Sequence, residues 1–373
     1  MRFNPFSKSE DTLDEEDGGA EEELSSEEKL KQLAYSMEAL GVQGEQIIDI
    51  SPEVREQLEK VHEFRDPETK GRIEYLLANP RGEKGTILVN SDFTADSKNR
   101  PTKEFLAYMA EIYPDYKIMF PIPPGYGTDP LGTFVKSQRK KERRSIFGPF
   151  ARPALRALES IEPGEDIIIF GASMGSHLAV EQALAAQDGE IDLEINQVVL
   201  LAPPAEKKGR SILGAIRLGK DFAKDEMRSR ELQEEYQYIK DIIPDDDVKK
   251  KEAWERHGLS GVVHMARYSM QLANSQFNEG LVDLVLGTDI DVRVLAGSED
   301  SVAGSKHLGP AIEKIKAGGK SLKRKVMIGW RHGTTADIPR RVVNVIQEIG
   351  RGGPELLDAK MIAKRMQLKE NEE

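Results

Sequence analysis

A serine flanked by glycines stands at the junction between a predicted strand and a predicted helix. The isoleucine-rich run Asp166–Phe170 is followed directly by G-A-S-M-G at positions 171–175, and then by a helical pattern. Glycines two residues on either side of a serine let strand and helix approach closely, so the hydroxyl stands exposed above the end of a sheet. The following helix N-terminus directs partial positive charge towards a developing anion. This context favours Ser173 as a nucleophile over the alternative, an ordinary serine in a glycine-rich turn.

Two further residue types are needed for this chemistry. A serine hydroxyl is a poor nucleophile without a base, and the base needs an acid to orient it. The apolar run Val292–Leu295 is followed by two adjacent carboxylates, and we assign Asp300 as the acid, with Glu299 as the alternative. The next apolar run is followed by His332, which is the histidine that combines a strand-end position with a helical pattern after it. We therefore assign His332 as the base.

These elements together resemble the α/β-hydrolase superfamily of serine hydrolases, over about residues 60–350. The agreement lies in the G-x-S-x-G elbow, the Gly-x-x-Asp sequence after a late strand, and the histidine after the last strand. The order serine, acid, histidine along the chain is also that of the superfamily. The resemblance implies that Ser173 is the nucleophile, that His332 takes and returns its proton, and that Asp300 orients His332. It also implies an esterase-like or lipase-like enzyme that works through an acyl-enzyme intermediate.

The resemblance further implies two backbone donors for the oxyanion. One is the N–H of Met174, directly after the nucleophile, and the other comes from the loop after the Thr86–Val89 strand. Many relatives carry His-Gly there, whereas this chain has N-S-D at positions 90–92. We assign the second donor to the N–H of Phe93. The carboxylate of Asp92 is unfavourable near a developing anion, so it either points away or weakens hydrolysis.

The elements that must position these residues follow an alternating pattern. Val/Ile/Leu-rich runs alternate with helical segments, which is typical of a parallel sheet with both faces covered. A hairpin formed by Val61–Phe64 and Ile73–Leu77 is predicted before them. The alternation stops over 205–285, where the composition is charged and helical. We predict an α/β fold with a doubly wound, mostly parallel sheet and a helical cap insertion, or lid, over Ser173.

The charge distribution separates the N-terminal segment from the rest of the chain. Residues 1–28 hold eleven acidic and two basic residues, so most of the net charge of −12 belongs to them. We predict a disordered acidic tail over 1–27, a core formed by 28–204 and 286–350 with an N-terminal helical extension, a cap over 205–285, and a charged C-terminal helix over 351–373. The tail is also a candidate site for a protein partner, or a mask over the basic run Lys136–Arg144.

The composition of the chain limits the classes of function that it can have. The chain has no cysteine, which excludes disulfides, thiol catalysis and thiolate metal sites. We expect no metal, no cofactor and no nucleic-acid partner, and we see neither an apolar run long enough for a transmembrane segment nor a signal peptide. We expect a cytoplasmic enzyme that cleaves a small-molecule carboxylic ester. The alternatives are an amide, peptide or thioester hydrolase, and a catalytically weak hydrolase-fold protein that acts as a binding module.

Overall fold

The computed structural model describes residues 50–90, 100–123, 148–189, 191–204, 276–297, 300 and 308–327. Within these ranges the chain forms one eight-stranded sheet and six helices. None of these helices combines the length and the apolar composition needed to cross a bilayer.

The described chain begins with a short helix and a hairpin. Helix α1 (Pro52–Glu59) has Ser51 as its N-cap, and the hydroxyl of Ser51 accepts a 3.3 Å hydrogen bond from the Val54 N–H. Strands β1 (His62–Arg65) and β2 (Arg72–Ala78) then pair in antiparallel fashion. The hairpin predicted from the sequence is confirmed.

Strand and helix alternate in the rest of the described chain. In the first half the elements are β3 (Gly85–Asn90), α2 (Arg100–Ile112), β4 (Tyr116–Pro121), α3 (Gly148–Glu159), β5 (Asp166–Ala172), α4 (Gly175–Ala186) and β6 (Ile195–Leu201). In the second half they are α5 (Phe277–Gly287), β7 (Asp291–Gly297), α6 (Gly309–Ala317) and β8 (Lys323–Met327).

The strand order makes the sheet doubly wound. The order is β1-β2-β4-β3-β5-β6-β7-β8, with the strands from β4 to β8 parallel and β2 antiparallel to both of its neighbours. The chain leaves β3 towards β4 on one side and leaves β5 towards β6 on the other. In open α/β sheets, ligands bind beyond the carboxyl ends of the strands at such a reversal. The predicted doubly wound, mostly parallel α/β sheet is confirmed, and the reversal places Ser173 at the edge where a site is expected.

The sheet core explains the continuous apolar runs. All six residues of β3 are buried, because strands covered by helices on both faces have no solvent side. Helix α4 is almost as enclosed, with ten of its twelve residues buried. Helix α4, which begins directly after the turn at Ser173, is therefore held in place by packing along its whole length.

Helix α5 covers the sheet beside α4. It packs against α4 and α6, and a Cβ built at Gly280 would lie 3.2 Å from Val180 Cγ1. Residues 277–285, which the sequence assigns to the insertion, thus lie in a helix that packs on the α/β core. The rest of the predicted cap, the acidic tail, the Lys136–Arg144 run and the C-terminal helix lie outside the described residues.

Candidate active site

Ser173 occupies a strained turn between β5 and α4. Its φ of 50° lies in the left-handed region, which non-glycine residues seldom adopt, and its side chain is buried. The Ser173 N–H donates to the Leu201 carbonyl in β6 at 2.8 Å, and the Ser173 carbonyl accepts from the Ser176 N–H at 3.0 Å. These two bonds hold the turn on both sides of the residue. The turn has the backbone conformation that a nucleophile elbow requires.

Gly171 lets β5 and α4 meet closely enough to form this turn. A Cβ at position 171 would lie 2.6 Å from the Gly175 carbonyl oxygen and 2.7 Å from Ser176 Cα. The hydroxyl of Ser176 is fully buried and donates to the Gly171 carbonyl at 3.0 Å. Sequence reasoning identified the two glycines but missed Ser176, whose role depends on this contact across the turn.

We expect Gly171→Ala to destabilise the protein, because the added methyl group would force the backbones of β5 and α4 apart. Overpacking of this kind costs about 1–3 kcal/mol. Gly287→Ala is the matched control, since a Cβ there meets nothing within 4 Å. Urea unfolding of both variants measures the difference. Equal unfolding free energies for the two variants would show that the close approach does not constrain the turn.

The carboxyl ends of β5, β6 and β7 are linked side by side. The Ser173 N–H bonds to Leu201, and in the same way the Ala202 N–H donates to the Leu295 carbonyl at 2.7 Å. Strand β7 ends at Gly297, three residues before Asp300, whose side chain is buried. The structure therefore places Ser173 after β5 and Asp300 after β7, at the same edge of the sheet with β6 between them. His332, Glu299 and Phe93 lie outside the described residues.

Met174 directly follows Ser173 and is the residue to which the sequence analysis assigns one oxyanion donor. It is buried at the N-cap of α4, and its carbonyl accepts from the His177 N–H at 3.1 Å. The first N–H groups of a helix have no acceptor within the helix. The Met174 N–H is therefore the kind of backbone group that can donate to an anion beside Ser173.

His177 follows one helical turn after Ser173 and was assigned no role from the sequence. Its Nε2 lies 2.8 Å from the Pro204 carbonyl oxygen, so this nitrogen must carry the proton, and its ring lies 4.5 Å from the ring of Phe277. Burial lowers the pKa of His177 to about 4, against the opposing effect of the hydrogen bond to Pro204. The imidazole is thus neutral near pH 7. It joins the first turn of α4 to the chain that leaves β6 and to the start of α5.

The low pKa of His177 predicts a loss of stability in acid. Between pH 6.5 and about 4 the unfolded chain binds a proton at His177 that the folded chain excludes, so the unfolding free energy falls as the pH is lowered. The pKa difference corresponds to about 3 kcal/mol over that window, and nothing is gained or lost above it. His177→Gln removes this titration. Its unfolding free energy, measured in urea at several pH values, should show a correspondingly weaker pH dependence, whereas parallel curves would contradict the assignment.

Asn90 and Gln182 form a buried pair beside the elbow. Asn90 ends β3 in register with Gly171 of β5, and Gln182 lies on α4. The Asn90 Nδ2 donates to Gln182 Oε1 at 2.7 Å, and the Gln182 Nε2 donates to Asn90 Oδ1 at 3.2 Å. Sequence reasoning noted Asn90 only as a departure from His-Gly. The available signal was Gln182, which with Glu181 forms the polar part of an otherwise apolar stretch of the helix, Leu178–Ala186.

The described residues contain no group of three or more histidine and carboxylate side chains that could hold a metal ion. The chemistry that the described site offers is that of a hydroxyl, backbone donors and a buried carboxylate.

Comparison with known proteins supports the fold at low sequence identity. No family model and no curated protein matches the chain. Among solved structures, MGS-M2, an α/β-hydrolase enzyme from a Medee basin deep-sea metagenome library, matches with a TM-score of 0.51 at 12% identity, over 80% of this chain and 99% of that one. A thermophilic esterase from Thermogutta terrifontis matches at 0.50 and 15%, over 78% and 98%. A bromoperoxidase from Bacillus anthracis matches at 0.50 and 14%, over 78% and 100%.

The similarity to these structures agrees with the sheet itself. The strand order, the antiparallel β2 and the strained serine after β5 are features of this chain's own sheet. Together, the sheet and its structural neighbours show that this chain has the α/β-hydrolase fold.

Proposed function

We propose that this protein is a serine hydrolase that cleaves a carboxylic ester through an acyl-enzyme intermediate. The observation that carries the proposal is the left-handed conformation of Ser173, at the carboxyl end of β5 and the reversal of the sheet. A strained residue survives only where the surrounding structure over-determines it, and such residues cluster at functional sites. Four other described non-glycine residues also have a positive φ, and Ser173 differs from them in its position at the reversal of the sheet, at the start of α4.

The proposed reaction assigns each step to a named group. The Ser173 hydroxyl attacks the ester carbonyl while His332 accepts its proton, and Asp300, or alternatively Glu299, orients His332. The N–H groups of Met174 and Phe93 donate to the oxyanion. The tetrahedral intermediate collapses, and the alcohol leaves with the proton from His332. Water, activated by His332, then hydrolyses the acyl-enzyme and regenerates Ser173.

The structural neighbours support an ester as the substrate without fixing it. The Thermogutta terrifontis protein is an esterase, whereas the Bacillus anthracis protein is a bromoperoxidase, so one fold carries different reactions.

A second candidate function is that of a hydrolase-fold protein that binds partners without efficient turnover. Asp92 favours this candidate, because a carboxylate in the oxyanion loop opposes the charge that forms there. Amide, peptide and thioester substrates are alternatives within the same mechanism.

We propose further that residues 205–275 cap the site and supply the apolar wall of an acyl pocket. Strand β6 ends at Leu201, the described chain continues past the Ala202–Leu295 bond to Pro204, and α5 begins at Phe277. His177 contacts both of these positions from the first turns of α4, which supports a location near Ser173. The substrate would be a small acyl compound met in the cytoplasm, with the acidic tail as a site for a protein partner.

Trapping the intermediate tests the proposal. With a p-nitrophenyl ester, an acyl-enzyme that forms faster than it hydrolyses gives a burst of p-nitrophenol equal to the enzyme concentration. Acid quenching followed by peptide mass mapping should place the acyl group on the peptide that contains Ser173. A burst without a covalent adduct, or an adduct on another residue, would contradict the mechanism.

A further inference from the structure

The pair formed by Asn90 and Gln182 links three elements at the carboxyl edge of the sheet. Asn90 is the last residue of β3, and its Nδ2 reaches the Phe170 carbonyl of β5 at 3.4 Å as well as Gln182 of α4. The two amides bond to each other in both directions, and both side chains are essentially without solvent exposure. Phe170 is three residues before Ser173. The link therefore reaches β5 directly before the strained turn at Ser173.

A buried amide pair constrains the geometry of the groups it joins in a way that apolar packing does not. Hydrogen bonds weaken steeply when their distance or angle changes, so a reciprocal pair fixes both the separation and the orientation of the groups it joins. In a low-dielectric interior such a pair is stronger than in water, and leaving one member unpaired is costly. Isosteric apolar side chains would fill the same space without this directional constraint. The pair is therefore suited to hold β3 and α4 at one relative position.

The described oxyanion donor of the proposed mechanism depends on that position. Met174, whose N–H is this donor, stands at the N-cap of α4, and Phe93, the other proposed donor, follows β3 in the sequence. Such donors act only when they lie about 2.7–3.1 Å from the position that the oxyanion will occupy. A shift of α4 relative to β3 by a few tenths of an ångström would move a donor out of this distance range while leaving the fold intact.

We propose that Asn90 and Gln182 are positioning residues for the oxyanion site, which they set by fixing α4 against the end of β3. The inference rests on the proposed hydrolase function and deepens it. It gives a role in the reaction to Asn90, the first residue of the N-S-D sequence that stands where many relatives carry His-Gly. Because donors to an oxyanion stabilise the transition state more than the bound ester, loss of the pair should lower kcat and leave KM nearly unchanged.

The first test uses two replacements of nearly unchanged shape. Asn90→Leu combined with Gln182→Met keeps the approximate shape of the two side chains and removes their hydrogen bonds. With p-nitrophenyl acetate, kcat should fall by about 10- to 100-fold, while KM changes by less than about 3-fold, the split expected when a transition-state interaction is weakened. Thr86→Val is the matched control, because the fully buried Thr86 hydroxyl donates to the Pro163 carbonyl at 2.7 Å near the opposite end of β3. That variant loses a buried hydrogen bond but should retain the wild-type kcat.

The second test uses a titratable replacement. In Gln182→Glu, an ionised carboxylate has no proton to donate to Asn90 Oδ1 and repels it, whereas the protonated acid restores both hydrogen bonds of the pair. Burial raises the pKa of such a carboxyl group. The ratio of the kcat of this variant to the wild-type kcat should therefore rise as the pH is lowered from 9 to 6. A role in packing alone predicts a ratio that does not change with pH.

The outcomes separate this inference from the proposed function. An active wild type, a double variant with wild-type kcat and a flat pH ratio for Gln182→Glu would overturn the positioning role and leave the hydrolase intact. A fall in kcat that Thr86→Val reproduces would also overturn it. A wild type without ester turnover would overturn the proposed function and this inference with it. If the double variant fails to fold, Gln182→Met alone and the pH ratio of Gln182→Glu decide the question.

Discussion

Replacing Ser173 with alanine should lower kcat for a carboxylic ester by about 10⁴- to 10⁶-fold, the range covered by removal of single members of a triad. The variant lacks the oxygen that forms the acyl-enzyme, so only binding and the backbone donors remain to accelerate attack by water. KM should change little, because the methyl group of alanine occupies the space of the hydroxymethyl group without new contacts. Initial rates with p-nitrophenyl acetate measure the effect.

The neighbouring serine provides the control for this result. Ser176 is fully buried, and its hydroxyl donates to the Gly171 carbonyl instead of facing a substrate. Ser176→Ala should therefore keep kcat within about 10-fold of wild type and lose only the net free energy of a hydrogen bond, about 1 kcal/mol. Comparable losses of kcat in both variants, or a Ser173→Ala variant with more than a tenth of the wild-type rate, would contradict the assignment.

Replacing Arg156 with alanine should destabilise the fold by about 3–5 kcal/mol, the cost of breaking a buried ion pair by removing one partner. Arg156 of α3 donates from Nε to Asp66 Oδ1 at 2.6 Å and from Nη2 to Asp66 Oδ2 at 3.1 Å. Asp66 lies in the turn between β1 and β2 and has 0% of its surface exposed. The Arg156→Ala variant leaves this carboxylate buried without its cation.

The environment of Asp66 shows why the loss should be large. Burial alone would raise the pKa of Asp66, but hydrogen bonds from Arg156 and Thr69 outweigh burial and hold that pKa below its ordinary value. Lys316→Ala is the control, since Lys316 and Glu313 form an exposed pair on α6 of a kind worth about 0–1 kcal/mol. Urea unfolding compares the two. Similar unfolding free energies for Arg156→Ala and Lys316→Ala would show that the buried pair does not hold the hairpin to α3.

The parts of the fold that the sequence predicted are those with local signals. The β5 strand, the glycines around Ser173 and the start of α4 fall within one short stretch, and their period and composition can be recognised there. The hairpin between β1 and β2 was equally local, because its two strand segments flank the turn at Asp66-Pro67. The strong apolar runs of the central strands follow from burial on both faces, which leaves no polar positions to interrupt them.

The parts that were missed depend on contacts between distant residues. The short helices α1 and α6 were not predicted, since each acquires its stability from packing rather than from a long amphipathic repeat. Asn90 and Gln182 are separated by 92 residues, and the bond from Ser173 to Leu201 also joins different strands. No local pattern reports such pairs. Likewise, the link from His177 to Pro204 and Phe277 arises only when α4, β6 and α5 are brought together.

Labelling with a fluorophosphonate probe tests the nucleophile most directly. Such a probe reacts with a serine that a base has activated, and the phosphonyl adduct resembles the tetrahedral transition state that the oxyanion donors stabilise. The wild-type protein should incorporate one equivalent, mapped by mass spectrometry to Ser173, and Ser173→Ala should incorporate none. Failure of the folded wild type to label, or equal labelling of Ser173→Ala, would contradict the account that Ser173 is the nucleophile of a serine hydrolase.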